Sequence, residues 1–295
     1  MVALRPGSAE AIEFLARSRA IDYENVDEWT IALQNYPSVL KAVAAKKKNK
    51  EELLDLDKEL RGKTFCAKVL GRDGGPYLTS EELSKIMKYK LNRGKMRPLQ
   101  ALCDSNSAQH VEVVSRKAFA AASKGPKHTR EAVMELSKLR AVGPATASLI
   151  LSLFYPHISF MADEALDCLV ERDYTIEHCM MLQEATSLIA AALNKSSLRM
   201  RADHQKSWTD ADICEVLYTI ALGNVHGIPT LTPVTQTQKL KATSSPTSKK
   251  VAAAHIGSGI TKGDSRKRSI AAASTASASK SKKVEDSPNE KESGK

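Results

Sequence analysis

The chain has 295 residues and a formal net charge of +10, which is unevenly distributed. Residues 231–295 hold 13 Lys/Arg and 5 Asp/Glu, so most of the net charge lies there and the remainder is nearly neutral. That segment is rich in Ala, Ser, Thr and Lys, and it cannot bury enough apolar surface to fold. Composition therefore predicts a folded domain over 1–230 and a disordered basic tail over 231–295.

Cysteine usage and hydropathy exclude several classes of protein. The five cysteines are scattered and form no CxxC pair, which argues against a structural zinc site and a four-cysteine iron–sulfur cluster. The sequence shows no signal peptide and no long apolar run, so we expect no membrane association. We also expect no cofactor. Two basic runs in the tail, 265–268 and 280–283, predict a nuclear location, with the cytoplasm as the alternative.

Helical periodicity dominates the chain, and no alternating strand pattern of useful length occurs. A first helix is predicted around residues 11–15, and a second passes through Trp29 and is interrupted at Pro37. A surface helix follows the lysine-rich stretch 46–50, and Thr79 begins the next helix as the cap of a capping box. Further helices are predicted over 108–122, 129–139, 144–154, 163–171, 179–194 and 208–222.

Residues 85–97 form a strongly basic segment without an acidic residue. Its six cations are Lys85, Lys88, Lys90, Arg93, Lys95 and Arg97. Like charges repel one another unless an anion binds among them, so we interpret all but Lys85 as candidate DNA-phosphate ligands. A solvated face with partly buried stems is the alternative. Tyr89, between two of these lysines, is a candidate for stacking on a base, although aromatic residues at helical spacing usually belong to a core.

The segment 139–147, Leu-Arg-Ala-Val-Gly-Pro-Ala-Thr-Ala, is typical of a tight turn between two helices. Pro144 suits the first turn of the second helix, because its missing N–H would have no partner there. Gly143 is expected to allow an unusual backbone angle and a close approach. Free amides at Val142 and Gly143 would bind a phosphate at the positive end of this helix, with Thr146 beside them.

Residues 139–166 resemble the helix-hairpin-helix DNA glycosylase superfamily, whose hairpins read L-x-G-V-G-x-x-T-A. They also resemble an uncharacterised eukaryotic family that shares this hairpin and a basic segment like 88–98. The first resemblance implies a two-lobe helical fold and double-stranded DNA as the partner. In that superfamily a catalytic aspartate stabilises the cationic sugar and activates water. Asp163 matches its position, and the neighbouring Glu164 is the weaker candidate.

Two departures from the hairpin pattern alter these expectations. Ala141 replaces the first hairpin glycine. Ala145 stands where bifunctional members carry a lysine, so the resemblance implies no Schiff-base lyase chemistry. Asp163 also has an alternative role, because aspartate is a preferred helix N-cap.

The sequence as a whole predicts an all-α domain over 1–230, with lobes 1–104 and 105–230. The first functional hypothesis is a nuclear, sequence-tolerant DNA-binding protein acting in base-excision repair. The second is a monofunctional DNA N-glycosylase that uses Asp163. The third is a helical adaptor for other proteins, because many helix pairs are joined by a short glycine-bearing turn without any nucleic acid. No particular protein partner is indicated.

Overall fold

The structure is a computed structural model that describes residues 25–199 and 207–228, with side chains for 25–196 and 207–228. All regular structure within these ranges is helical, which confirms the predicted all-α class. None of the described helices combines the length and the apolar character that crossing a membrane requires. The helix expected around residues 11–15 and the tail over 231–295, with its two basic runs, lie outside the described residues.

Eleven α-helices occur in the described part of the chain, together with a short 3-10 helix, Pro126–His128. Most of them coincide with predicted segments to within a few residues. Two short ones, the third and the fifth, were not predicted. The helices are α1 (Val26–Ala45), α2 (Lys50–Leu60), α3 (Lys63–Leu70), α4 (Ser80–Arg93), α5 (Gln100–Asp104), α6 (Ala108–Ala122), α7 (Thr129–Leu136), α8 (Pro144–Ser152), α9 (Asp163–Leu169), α10 (Ile176–Arg199) and α11 (Asp210–His226).

One cluster of buried hydrophobic side chains extends through the described domain. The first and last described helices, α1 and α11, pack against each other within it. Trp29 meets Trp208 edge to face at 6.4 Å between ring centroids, and Tyr36 packs on Tyr218 at 5.7 Å. Chain segments that are distant in sequence therefore share one core.

Helix α1 continues through Pro37, so the interruption predicted there is wrong. A proline inside a helix removes one backbone hydrogen bond and crowds the preceding turn. The neighbouring side chains of Tyr36, Val39 and Leu40 are all buried in the core. Tertiary packing on both sides of the proline therefore outweighs its local cost.

Helix α4 begins as the sequence predicts. The Thr79 hydroxyl accepts a hydrogen bond from the Glu82 amide at 3.2 Å, and the Glu82 carboxylate accepts one from the Thr79 amide at 3.0 Å. Its apolar stripe, Leu83, Ile86 and Met87, is fully buried. The capping box and this stripe together determine which way the basic side chains of α4 point.

Candidate nucleic-acid interface

A cleft of about 840 Å³ opens beside the turn between α7 and α8. Six parts of the chain line it: the end of α1, the end of α4 with the turn after it, the α7–α8 turn, the segment from residue 160 through α9, the loop after α9, and the end of α11. Charged side chains in the lining are mostly basic, so the cleft is net positive. The cations are Lys47, Lys90, Arg93, Lys95, Arg97 and Arg172, and the acids are Asp163, Glu164 and Asp167.

The basic segment 85–97 divides into two groups. Lys85 forms an ion pair with Glu59 at 2.6 Å, and Lys88 pairs with Glu52, so α2 neutralises both and neither lines the cleft. The other four cations do line it, and none of them has an ion-pair partner among the described residues. They are Lys90, Arg93, Lys95 and Arg97.

Lys90 is half-buried in the cleft, and its ammonium group lies close enough to the Asp163 carboxylate for the two charges to interact. Burial lowers the pKa of its ammonium group, the positive charge of Arg97 lowers it further, and Asp163 opposes both effects. Lys47 donates a hydrogen bond to the Gly94 carbonyl at 2.7 Å, and burial lowers its pKa as well. These desolvated cations would interact with an anion more strongly than solvated surface lysines.

Tyr89 lies in the core and does not line the cleft. Its side chain is 1% exposed, and its hydroxyl donates a hydrogen bond to Asp57 at 2.7 Å. The Tyr36 hydroxyl donates to the same carboxylate oxygen at 2.7 Å. Stacking of Tyr89 on a base would require this buried arrangement to open. The tyrosine that does line the cleft is Tyr174, which the sequence did not single out.

The turn between α7 and α8 is held from outside by Asn106. Its side-chain oxygen accepts a hydrogen bond from the Arg140 amide at 2.9 Å, and its amide group donates to the Arg140 carbonyl at 3.1 Å. Ala141 follows with φ +65°, the only non-glycine residue with positive φ in the described part of the chain. The left-handed conformation therefore occurs where the resembled hairpins carry their first glycine.

The amides that face outward at this turn differ from those expected. The Val142 N–H donates to the Leu139 carbonyl at 3.1 Å, and its side chain is buried, so Val142 offers nothing to a ligand. The amides of Gly143 and Ala145 have no acceptor among the described residues. Thr146 is buried where it borders the cleft, and its amide bonds to the Gly143 carbonyl at 2.9 Å.

Gly143 does not supply the unusual backbone angle expected of it. Its φ of −97° and ψ of −176° are extended, and any residue adopts them. A Cβ atom at this position would meet no other atom within 4 Å. A side chain at this position would therefore stand in open space beside the free amides, and the glycine leaves that space empty.

Asp163 is the first residue of α9, but it does not cap the helix. The N-cap is Ala162, and no side chain makes a capping hydrogen bond there. The Asp163 carboxylate lines the cleft and accepts a hydrogen bond from the Tyr174 hydroxyl at 2.7 Å, with Arg172 at 3.7 Å. Burial and this carboxylate raise the pKa of the Tyr174 hydroxyl, which keeps it a donor at neutral pH.

Ser148 connects the turn between α7 and α8 to the segment that precedes Asp163. Its hydroxyl accepts a hydrogen bond from the Met161 amide at 3.0 Å and donates to the Ala145 carbonyl at 3.2 Å. Because Ser148 is completely buried, this link fixes the segment that leads into α9 against the first turn of α8. The free amides and the carboxylate therefore have a defined spacing in the cleft.

Glu164 also lines the cleft and has neither an ion pair nor a hydrogen bond among the described residues. It interacts electrostatically with Lys47 and Arg93. Tyr174, Arg172 and Lys47 are among the cleft residues that sequence reasoning missed. The first two lie in the loop after α9, where no periodicity marks them, and Lys47 is one of several consecutive lysines.

Among the described residues, no group of His, Cys, Asp and Glu side chains is arranged to hold a metal ion. Comparison of the chain with protein-family models, with curated proteins and with solved structures gave no match. The resemblance of residues 139–166 to a known superfamily therefore stays a prediction from the sequence.

Proposed function

We propose that this protein binds double-stranded DNA with little sequence preference, holding one strand across the mouth of the cleft. The observation that supports this is the convergence of Lys90, Lys95 and Arg97, which have no ion-pair partners among the described residues, and the free amides of Gly143 and Ala145 on one cleft. Amides at a helix N-terminus and basic side chains bind backbone phosphates without reading bases. We assign the turn to the helix-hairpin-helix type as part of this proposal, and a nuclear location stays a prediction from the tail.

Salt dependence and Gly143 provide the test. About three phosphate contacts would make the affinity for a short duplex fall about fortyfold between about 50 and 200 mM salt. A leucine at position 143 fits the fold, because the space in front of it is open, but it covers the free amides. We expect Gly143→Leu to weaken binding about tenfold and Gly143→Ala to weaken it less.

Fluorescence anisotropy with a labelled duplex measures these affinities. Lys124→Gln is the control, because Lys124 is an exposed cation outside the cleft. Binding that is insensitive to salt, or equal affinities for the parent and Gly143→Leu, would contradict the proposal. No affinity for any duplex would favour the protein-adaptor hypothesis instead.

The second candidate function is removal of a base from DNA by a monofunctional N-glycosylase. The specific observation in its favour is Asp163, whose carboxylate faces the same cleft as Lys90 and Gly143 and is not used as a helix cap. In this reaction the C1′–N bond breaks and its electron pair leaves with the base. The carboxylate would stabilise the cationic sugar and accept a proton from the water that attacks C1′.

Single-turnover base release from a panel of damaged duplexes tests this function. Asp163→Asn should lower the rate at least about a hundredfold, because it removes the negative charge that opposes the cationic sugar. Asp73→Asn is the control, since Asp73 is an exposed carboxylate outside the cleft. Release that survives Asp163→Asn, or no release from any substrate, would exclude the glycosylase while leaving the binding function intact.

A further inference from the structure

Arg93 is a buried cation without a partner at the inner end of the cleft. Its side chain is 7% exposed, and no described residue accepts a hydrogen bond from it or forms an ion pair with it. A buried charge normally has such partners, because its removal from water is costly. Native proteins rarely leave such a group unsatisfied, and the exceptions often mark a ligand site.

The surroundings of Arg93 leave only its N–H edge available. The guanidinium lies over the ring of Tyr218 at 3.7 Å from the centroid and near that of Phe160 at 5.2 Å. A guanidinium donates hydrogen bonds in its own plane, so contacts with rings across its faces do not satisfy its donors. Arg93 lines the cleft and also a smaller cavity of about 170 Å³ that Tyr89 and Phe160 border, so both open spaces adjoin this side chain.

The charges around this point favour an uncharged ligand with a hydrogen-bond acceptor. Glu164 is free and close enough to interact with Arg93, so it would repel a phosphate placed between them. The exposed cations Lys95 and Arg97 at the mouth are available for phosphates instead. A cationic base, such as an N7-alkylated purine, would be repelled by Arg93, the group that donates to the carbonyl oxygen, although Glu164 would attract it.

We propose that the inner end of the cleft is a receptor for an uncharged, carbonyl-bearing base, with Arg93 donating to its carbonyl oxygen and Glu164 accepting from its adjacent N–H. Hypoxanthine, uracil and oxidised guanine carry this pair of groups. Arginine is suited to a carbonyl oxygen of this kind, as in its common pairing with guanine. This inference rests on the proposed function, because the base must be swung out of a bound duplex to reach Arg93.

The experiment compares duplexes that differ at one nucleotide placed opposite an abasic spacer, so that no base pair has to break. A fluorine at the 2′ position of that nucleotide prevents release of the base. One pair of duplexes carries hypoxanthine or unsubstituted purine, which lacks the carbonyl group. The other pair carries guanine or cationic N7-methylguanine. Dissociation constants are measured by fluorescence anisotropy at one salt concentration.

We expect the hypoxanthine duplex to bind about tenfold more tightly than the purine duplex, the size of one hydrogen bond to a charged donor. Arg93→Gln should bring this ratio close to one. Arg97→Gln, which removes a cation at the mouth, should weaken both complexes equally and leave the ratio unchanged. N7-methylguanine should bind at least about fivefold more weakly than guanine, because its charge is repelled.

Several outcomes would overturn the inference. They are equal affinities for hypoxanthine and purine in the parent, a preference that persists in folded Arg93→Gln, and binding of N7-methylguanine as tight as that of guanine. If Arg93→Gln does not fold, the guanine pair decides the question with the unaltered protein. Equal binding of all bases would leave DNA binding intact, whereas loss of all duplex binding would remove both proposals.

Discussion

Ala141 is the clearest case of local strain in the hairpin. An L-residue in the left-handed region costs about 1–2 kcal/mol because its Cβ crowds the backbone, and glycine avoids this cost. The conformation is retained because Asn106 holds the preceding peptide and Val142 is buried after it. The hairpin therefore keeps its shape although alanine occupies the position where glycine fits best.

Ala141→Gly should stabilise the domain. We expect the free energy of unfolding to rise by about 1 kcal/mol, since relief of the strain exceeds the entropy that glycine adds to the unfolded chain. Denaturant unfolding measures the change. Ala145→Gly is the control, because Ala145 lies in the first turn of α8 without positive φ, and there glycine should destabilise. Equal effects of the two substitutions would contradict the argument from strain.

Tyr174 is expected to act as a positioning residue for Asp163. Tyr174→Phe removes the hydroxyl that donates to the carboxylate at 2.7 Å and leaves the ring in place. If the protein releases a base, the single-turnover rate should fall about tenfold, the size of one hydrogen bond to a charged group, while the dissociation constant for the duplex stays the same. A parallel loss of rate and affinity would instead point to a structural role.

Among the helices, those with a capping signal or a long apolar stripe could be predicted from the sequence. Helix α4 has both and begins where its capping box indicates. Helices α3 and α5 are short and bury few side chains, Phe65 and Val69 in one and Cys103 in the other, so they leave little periodicity to detect.

The candidate site could be predicted only in part, because its composition depends on contacts between helices. The sequence singled out Asp163, the hairpin and the basic segment. It could not divide that segment, since the carboxylates of Glu52 and Glu59 that neutralise Lys88 and Lys85 belong to α2. Tyr174 reaches Asp163 only through the fold of the loop after α9.

A buried carboxylate at the contact between α10 and α11 makes the stability of the protein depend on pH. Asp210 is 6% exposed and accepts hydrogen bonds from Gln183 at 2.5 Å and Ser187 at 2.8 Å. Burial raises its pKa from 3.8 to about 6, and the two hydrogen bonds oppose that rise. Because the pKa is raised by folding, the protonated form favours the folded state below about pH 4, and this stabilisation is lost as the pH rises through about 6.

Asp210→Asn should remove this pH dependence. Relative to the parent, the variant's free energy of unfolding should increase by about 3 kcal/mol between pH 4 and pH 7, since the shift corresponds to about two pKa units. Urea unfolding across this range measures the difference. Ser187→Ala, which removes a hydrogen bond to the ionised form, should steepen the fall in the parent's stability. A constant difference between Asp210→Asn and the parent at every pH would show that Asp210 does not titrate in this way.

For the whole molecule, the proposed function predicts that the charge of the tail and that of the cleft contribute separately to DNA binding. A chain that ends at residue 230 loses 13 Lys/Arg and 5 Asp/Glu but keeps every described residue. We expect it to retain affinity for a duplex, with a shallower dependence on salt because fewer phosphates are neutralised. Anisotropy titrations at several salt concentrations compare the two chains. Loss of all affinity on truncation would place DNA binding in the tail and favour the adaptor hypothesis for the domain.

The packing of α1 against α11 also limits when the cleft can exist during synthesis. Val43 and Lys47, near the end of α1, and Val225 and His226, at the end of α11, line the same cleft. A nascent chain that has emerged only as far as α10 lacks the side of the cleft that α11 forms. Bringing α1 and α11 together also closes a long loop of chain, which carries an entropic cost before their contacts form. The complete cleft is therefore assembled only after α11 has left the ribosome, so shorter translation products should lack its α11 side.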